Sequence, residues 1–173
     1  DWWQAARLYK RCPWEIGHYP EYFPTVPHAK ETIAYLRSIG QEPMVYTLPR
    51  LYSETLLSWH YAKADALYGP NGRYYVEKYG AFDPPPLVPM CMAQKTYQDV
   101  CVDYARRILD LGGRSIFLDQ FASCAAHACY STTHAHKQGG GDWFYRGQHE
   151  ISRRIHEDYV KAATSRQVDN DET

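Results

Sequence analysis

Apolar positions recur along the chain with two periods, and they alternate. From about Pro27 to Ile39, the spacing of Ile33, Leu36 and Ile39 predicts a helix with one aliphatic face, with Pro27 suited to its first turn and Gly40 to its stop. The run Pro43-Met44-Val45-Tyr46-Thr47-Leu48-Pro49-Arg50-Leu51 is β-branched and aromatic between prolines. It predicts a strand ending at Pro49-Arg50. The same order then repeats. From Thr96 onward, Val100, Cys101, Tyr104, Ile108, Leu109 and Leu111 share a helical stripe closed by Gly112-Gly113. Arg114-Ser115-Ile116-Phe117-Leu118-Asp119-Gln120-Phe121 follows as the clearest strand in the sequence. Helix then strand, twice, predicts an α/β fold.

The other segments are less regular. Trp2, Ala5, Ala6 and Tyr9 lie at helical spacing behind an Asp1 cap and are stopped by Pro13, and residues 13–25, with four aromatics, Pro20 and Pro24, predict an irregular loop. Residues 53–63 suit a short helix, and Leu67 to Val76 suit a hairpin around Asn71-Gly72. Together with Pro84-Pro85-Pro86, the stretch of about 53–90 reads as an insertion in a single domain spanning 1–173. Residues 122–142 predict a long loop rich in Cys, His, Ser, Thr and Gly. A last helix is expected from about Trp143 to Ala163 with Ile151, Ile155, Tyr159 and Val160 inward, before a polar frayed tail.

Composition narrows the partners. With 45% hydrophobic residues, 23% charged and a net charge of −1, the 173 residues can bury a core and lack the basic excess of a nucleic-acid binder. No apolar stretch approaches the ~18 residues of a membrane span. The start, Asp1-Trp2-Trp3-Gln4, has neither an initiator Met nor a signal-peptide pattern, so a piece of a longer chain is expected. Sixteen Tyr, five Trp and five Phe are an aromatic excess of the kind that builds stacking walls for sugars or bases. The five cysteines are odd in number and scattered, which excludes a closed disulfide framework and leaves the compartment open.

Asp119 is the residue that calls for chemistry. A carboxylate at the end of a buried apolar strand costs several kcal/mol unless it is paired, and strand ends are where α/β enzymes hold catalytic groups. His127, His134, His136 and Gly139-Gly140-Gly141 lie in the loop that would cover that end. Tyr46 and Arg50 close the first strand, where Arg can fork onto a carboxylate or sugar hydroxyls, and Trp143 can stack on a sugar or staple the last helix. Cys124, His127, Cys129, His134 and His136 crowd together in sequence, but there is no C-x2-C pair and no helix carrying a His-x3-His pair. No metal ion and no cofactor is therefore assigned. The glycines lack a phosphate-loop pattern, and His149 and His156 read as solvated.

Three stretches together carry a resemblance: Asp1-Trp2-Trp3-Gln4-Ala5-Ala6-Arg7-Leu8-Tyr9, the strand Met44 to Arg50, and Ser115-Ile116-Phe117-Leu118-Asp119-Gln120 followed by Cys124, His134-Ala135-His136 and Gly139-Gly140-Gly141. The sequence resembles bacterial TIM-barrel glycoside hydrolases of the α-galactosidase and endo-α-N-acetylgalactosaminidase kind. The resemblance implies a partial (β/α)8 TIM barrel, a retaining mechanism with Asp119 as nucleophile, and carbohydrate binding by Gln120, His134, His136, Tyr46, Arg50 and Trp143. The expected partner is a carbohydrate, with no nucleic acid and no membrane span. Glu54, Asp65, Glu77 and Asp83 are the carboxylates that could supply a second acid, and no spacing rule selects among them. Two other readings stand beside the glycosidase: a non-catalytic carbohydrate-binding or degenerate barrel domain, and a metal-dependent hydrolase.

Overall fold

The computed structural model describes residues 28–78 and 86–171, with side chains described as far as residue 163. The expected first helix, the loop at 13–25 and Asp83 lie outside the described residues.

Helix α1, Ala29–Ser38, forms where the Ile33 spacing predicts it. It ends at Gly40, whose φ of +80° lets its N–H reach Arg37 O at 3.0 Å while Gln41 N–H reaches Leu36 O at 3.0 Å. Ile33 is buried, whereas Ile39, on this turn rather than in the helix, is 53% exposed. Strand β1, Met44–Thr47, follows. The predicted strand through Leu51 is in fact two. Pro49 has no N–H to donate, the chain turns with Leu51 N–H facing Leu48 O at 3.4 Å, and Leu51–Ser53 becomes β2 of another sheet. The short helix expected at 53–63 is the single turn α2, Trp59–Ala62, running into a 3-10 turn at Lys63–Asp65. The hairpin forms around Gly72 at φ +72°, with Gly69 N–H bonded to Arg73 O at 2.8 Å.

Strand β3, Leu87–Pro89, runs antiparallel to β2, pairing Leu51 with Pro89 and Ser53 with Leu87. Helix α3, Lys95–Asp110, then crosses to β4, Ser115–Leu118, which lies parallel to β1 with Tyr46 beside Phe117 and Thr47 beside Leu118. Strand alternation gives this pair two unlike faces. Val45 and Ile116 pack on Tyr104 and Ile108 of α3. The other face carries Met44, Tyr46 and Phe117, of which Met44 and Phe117 are exposed. The last helix, α4, runs Trp143–Asp171, past the expected end. It buries Phe144, Ile151 and Ile155 but leaves Val160 exposed, and it is tied to α3 by Arg106–Asp158 and Arg154–Asp99 ion pairs.

The fold is thus mixed α/β with two small sheets among the described residues. The largest core draws on the stretch read as an insertion, since Leu56, Ala66, Leu67, Val88 and Met90 pack there with Tyr97, Val102, Phe144 and Ile151. Cys91, Cys101, Cys124 and Cys129 are free thiols, and no helix among the described residues is long and apolar enough to cross a membrane.

Buried phenols set the alkaline limit of this core. Burial pushes up Tyr46, Tyr97 and Tyr104, and raises Tyr159 to about 12, whereas each ionises near 10.0 when unfolded. Above that pH the unfolded chain sheds protons that the folded chain keeps, so the stability present below it is lost as pH rises. The expected slope is about 1.4 kcal/mol per pH unit for each of the buried phenols Tyr97 and Tyr104, and less for Tyr46 and Tyr159, which solvent partly reaches. Urea midpoints measured between about pH 9 and about pH 11 should fall steeply; a flat profile would mean that these phenols ionise in the folded state.

Candidate functional site

The parallel pairing of β1 and β4 brings the carboxy ends of the two strands side by side, and the polar residues that follow them meet there. Asp119 N–H continues the ladder to Thr47 O at 2.8 Å. By strand alternation Asp119 follows Phe117 onto the face away from α3, where Tyr46 also lies, and the Tyr46 hydroxyl donates to Asp119 Oδ2. The other oxygen, Oδ1, accepts the backbone N–H of Gln120 at 2.8 Å. Gln120 achieves this at φ +52°, a left-handed conformation uncommon for a residue with a side chain, and such strain clusters at functional sites. Each Asp119 oxygen therefore has a donor fixing its direction. Burial first, and the hydrogen bond to Asp119 next, push the Tyr46 phenol well above its ordinary range, so it stays protonated and donating.

Behind Gln120 lies a charged pair. Gln120 Oε1 accepts from Arg50 Nη2 at 2.7 Å, and Arg50 forks onto Glu77 through Nη1 to Oε1 at 2.7 Å and Nη2 to Oε2 at 2.6 Å. His127 Nε2 lies 3.2 Å from Glu77 Oε1, and its ring stacks on Tyr75 at 4.8 Å between centroids. Arg50 is placed by the Pro49 turn, and its side chain is 5% exposed against 21% for Glu77. Removing one partner of a buried pair leaves the other charge uncompensated. The partial exposure of Glu77 tempers that cost, so Glu77→Ala is expected to destabilise by about 2 kcal/mol in urea unfolding, with a loss under about 0.5 kcal/mol contradicting this role.

The predicted site residues divide into two groups. Tyr46, Arg50, Asp119 and Gln120 form the network just described. His134, His136 and Trp143 gather around Cys91 and Cys129, with the His136 ring stacked on the Trp143 indole at 3.8 Å and an interplanar angle of 7°. The two thiols of this second group divide their proton unequally. A hydrogen bond from Cys91 holds Cys129 far below the usual thiol range, and the same pairing together with burial pushes Cys91 far above it. Sequence reading missed Arg50's partner. Glu77 stood among four carboxylates that spacing could not rank, and only the hairpin's position beside β3, where Glu77 N–H meets Leu87 O at 2.7 Å, singles it out.

A carboxylate at the carboxy end of one parallel strand, beside a tyrosine from its neighbour, is the layout in which α/β enzymes keep their active sites. Known proteins narrow the class. The chain is 30% identical over 129 residues, 73% of its length, to a Bacteroides thetaiotaomicron protein named "Putative glycoside hydrolase". It also resembles the α-galactosidase TtGalA of Thermus thermophilus: with stachyose bound, TM-score 0.57 at 14% identity over 80% of this chain, and with p-nitrophenyl α-D-galactopyranoside bound, 0.58 at 15% over 78%. The chain spans 19% of the Bacteroides protein and 25–27% of the galactosidase chains. A family model matches residues 1–168, and the chain belongs to that family, described as a domain of unknown function, DUF6259.

Proposed function

We propose that this chain is part of the catalytic (β/α)8 barrel of a glycoside hydrolase that retains configuration, with Asp119 as its nucleophile. The observation that carries the reading is the Asp119 carboxylate, held through both oxygens at the end of β4 on the face that α3 does not cover. In a closed barrel that face is the interior, and its carboxy end is the active-site mouth. The relative's name and the fold shared with an α-galactosidase support carbohydrate as the substrate.

In the first step an Asp119 oxygen attacks the anomeric carbon as the glycosidic oxygen leaves with a proton from a second carboxylic acid, giving a glycosyl ester. Water then hydrolyses the ester, with the second group acting as base. Tyr46 and the Gln120 N–H aim the carboxylate and accept part of its charge again when the ester breaks. Glu77 is committed to Arg50, which also holds Gln120, so Glu77 serves to position Gln120 and is set aside as the acid/base. The test is release of nitrophenol from a panel of aryl glycosides by the full-length protein. Turnover of one or more α-glycosides with net retention supports the reading. Glycan binding without turnover of any glycoside would replace it with a carbohydrate-binding domain.

A further inference from the structure

The loop after β4 brings together four metal-ligating side chains that the glycosidase reading does not use. We propose that Cys91, Cys129, His134 and His136 bind one zinc ion in a closed tetrahedral site that fastens this loop to the strand extension following β3. The four ligand atoms all lie within 4.8 Å of one another. Cys91 Sγ is 3.3 Å from His136 Nε2, and Cys129 Sγ is 3.5 Å from His134 Nδ1. A tetrahedron with zinc–sulfur bonds of ~2.3 Å and zinc–nitrogen bonds of ~2.0 Å has edges of about 3.3–3.8 Å, so the two cysteine–histidine pairs already match and the wider separations close by about 1 Å. Two thiolates with two imidazoles are the ligand set that zinc favours.

The histidines are also set up for it. His134 donates its Nε2–H to Ala64 O at 2.8 Å, and His136 donates its Nδ1–H to Lys137 O at 2.8 Å. A backbone carbonyl can only accept, so in the neutral ring the other nitrogen carries the lone pair, and that nitrogen is the one facing the cysteines. This outer hydrogen bond is the usual companion of a histidine ligand. Trp143, stacked on His136, fixes the second ring's plane. The cysteine backbones are pinned as well. Cys129 exchanges hydrogen bonds with Gly139 at 3.0 and 2.7 Å, and Cys91 N–H bonds Asp65 O at 2.7 Å. Both cysteines are fully buried, and with four protein ligands no position remains for substrate or water, so the ion's role is structural. It would close a loop of 45 positions between Cys91 and His136, across a segment with no regular secondary structure of its own between β4 and α4.

The test is elemental analysis of the full-length protein, purified without chelator or histidine tag, beside Cys129→Ser, His134→Ala and, as a control, Cys101→Ser, which alters a buried thiol outside the cluster. About one zinc per chain is expected in the parent and the control, and under about a tenth in the other two. Stripping zinc from the parent should lower its melting temperature, and adding zinc should restore it. Should the cluster variants fail to fold, cobalt in the parent gives an independent readout: strong tetrahedral d–d bands with thiolate charge transfer are expected. The proposal is overturned by a parent that neither carries nor takes up zinc, by a parent mass short of two thiol hydrogens from a Cys91–Cys129 disulfide, by a weak octahedral cobalt spectrum, or by equal metal loss in Cys101→Ser.

Discussion

Asp119→Asn is expected to lower turnover of the responding glycoside by three or more orders of magnitude, about 4 kcal/mol in the barrier, while leaving the melting temperature nearly unchanged. The amide is the size of the carboxylate and keeps an oxygen to accept the Gln120 N–H at the place where Asp119 Oδ1 does so at 2.8 Å. It cannot form the glycosyl ester, and it carries no charge to oppose the positive character developing at the anomeric carbon. In Asp119→Ala, which vacates the space the carboxylate fills, a small anion such as azide should restore part of the rate and give a glycosyl azide of inverted configuration. Loss of activity with folding intact, together with that rescue, identifies a nucleophile. Retention of more than a tenth of the parental rate would remove Asp119 from the reaction.

The largest effect on stability is expected at Gly147. A Cβ there would lie 2.0 Å from Met92 O, 2.3 Å from Met92 C and 2.9 Å from Ala93 N. All three are backbone atoms of the segment after β3, so no side-chain rotation relieves the clash. The first turns of α4 must back away, although Phe144 and Ile151 are buried on the same helix and Gln148 Nε2 donates to Phe121 O. Overpacking of this kind costs ~1–3 kcal/mol where neighbours can shift; with none able to, Gly147→Ala should lose at least about 3 kcal/mol. Gly140→Ala, where an added Cβ meets nothing within 4 Å, is the matched control and should stay within about 0.5 kcal/mol. Equal urea midpoints for the two variants would show that α4 does not rest on this contact.

Legibility in the sequence followed the range of the interaction that fixes each feature. Helices α1 and α3 and strands β1 and β4 carry their own signals in apolar spacing and in the glycines at 40 and 112, so reading along the chain finds them. Strands β2 and β3 are three residues each and buried at every position, with no alternation to read, and they are fixed by pairing with one another and, for β3, with the hairpin segment. The same divide runs through the sites. Asp119 stands out because a carboxylate ending an apolar strand is a local anomaly. The crowding of cysteine and histidine after β4 is equally visible, but of its five members only Cys129, His134 and His136 gather in space. Cys124 turns toward Phe121 O, and His127 faces Glu77. The fourth member of the cluster, Cys91, precedes α3 in the chain.

The parallel pairing of β1 with β4 also has a meaning in time. Tyr46 and Asp119 meet across 73 positions of the chain, and a parallel pair cannot close through a tight turn; it needs the whole crossover through α3. Contacts of such sequence separation form late, because the chain must first lose the freedom of everything between them. On the ribosome, Tyr46 is therefore exposed long before its carboxylate partner has been made. The Tyr46–Asp119 contact belongs to the last stage of this segment's maturation, after the local helices have formed.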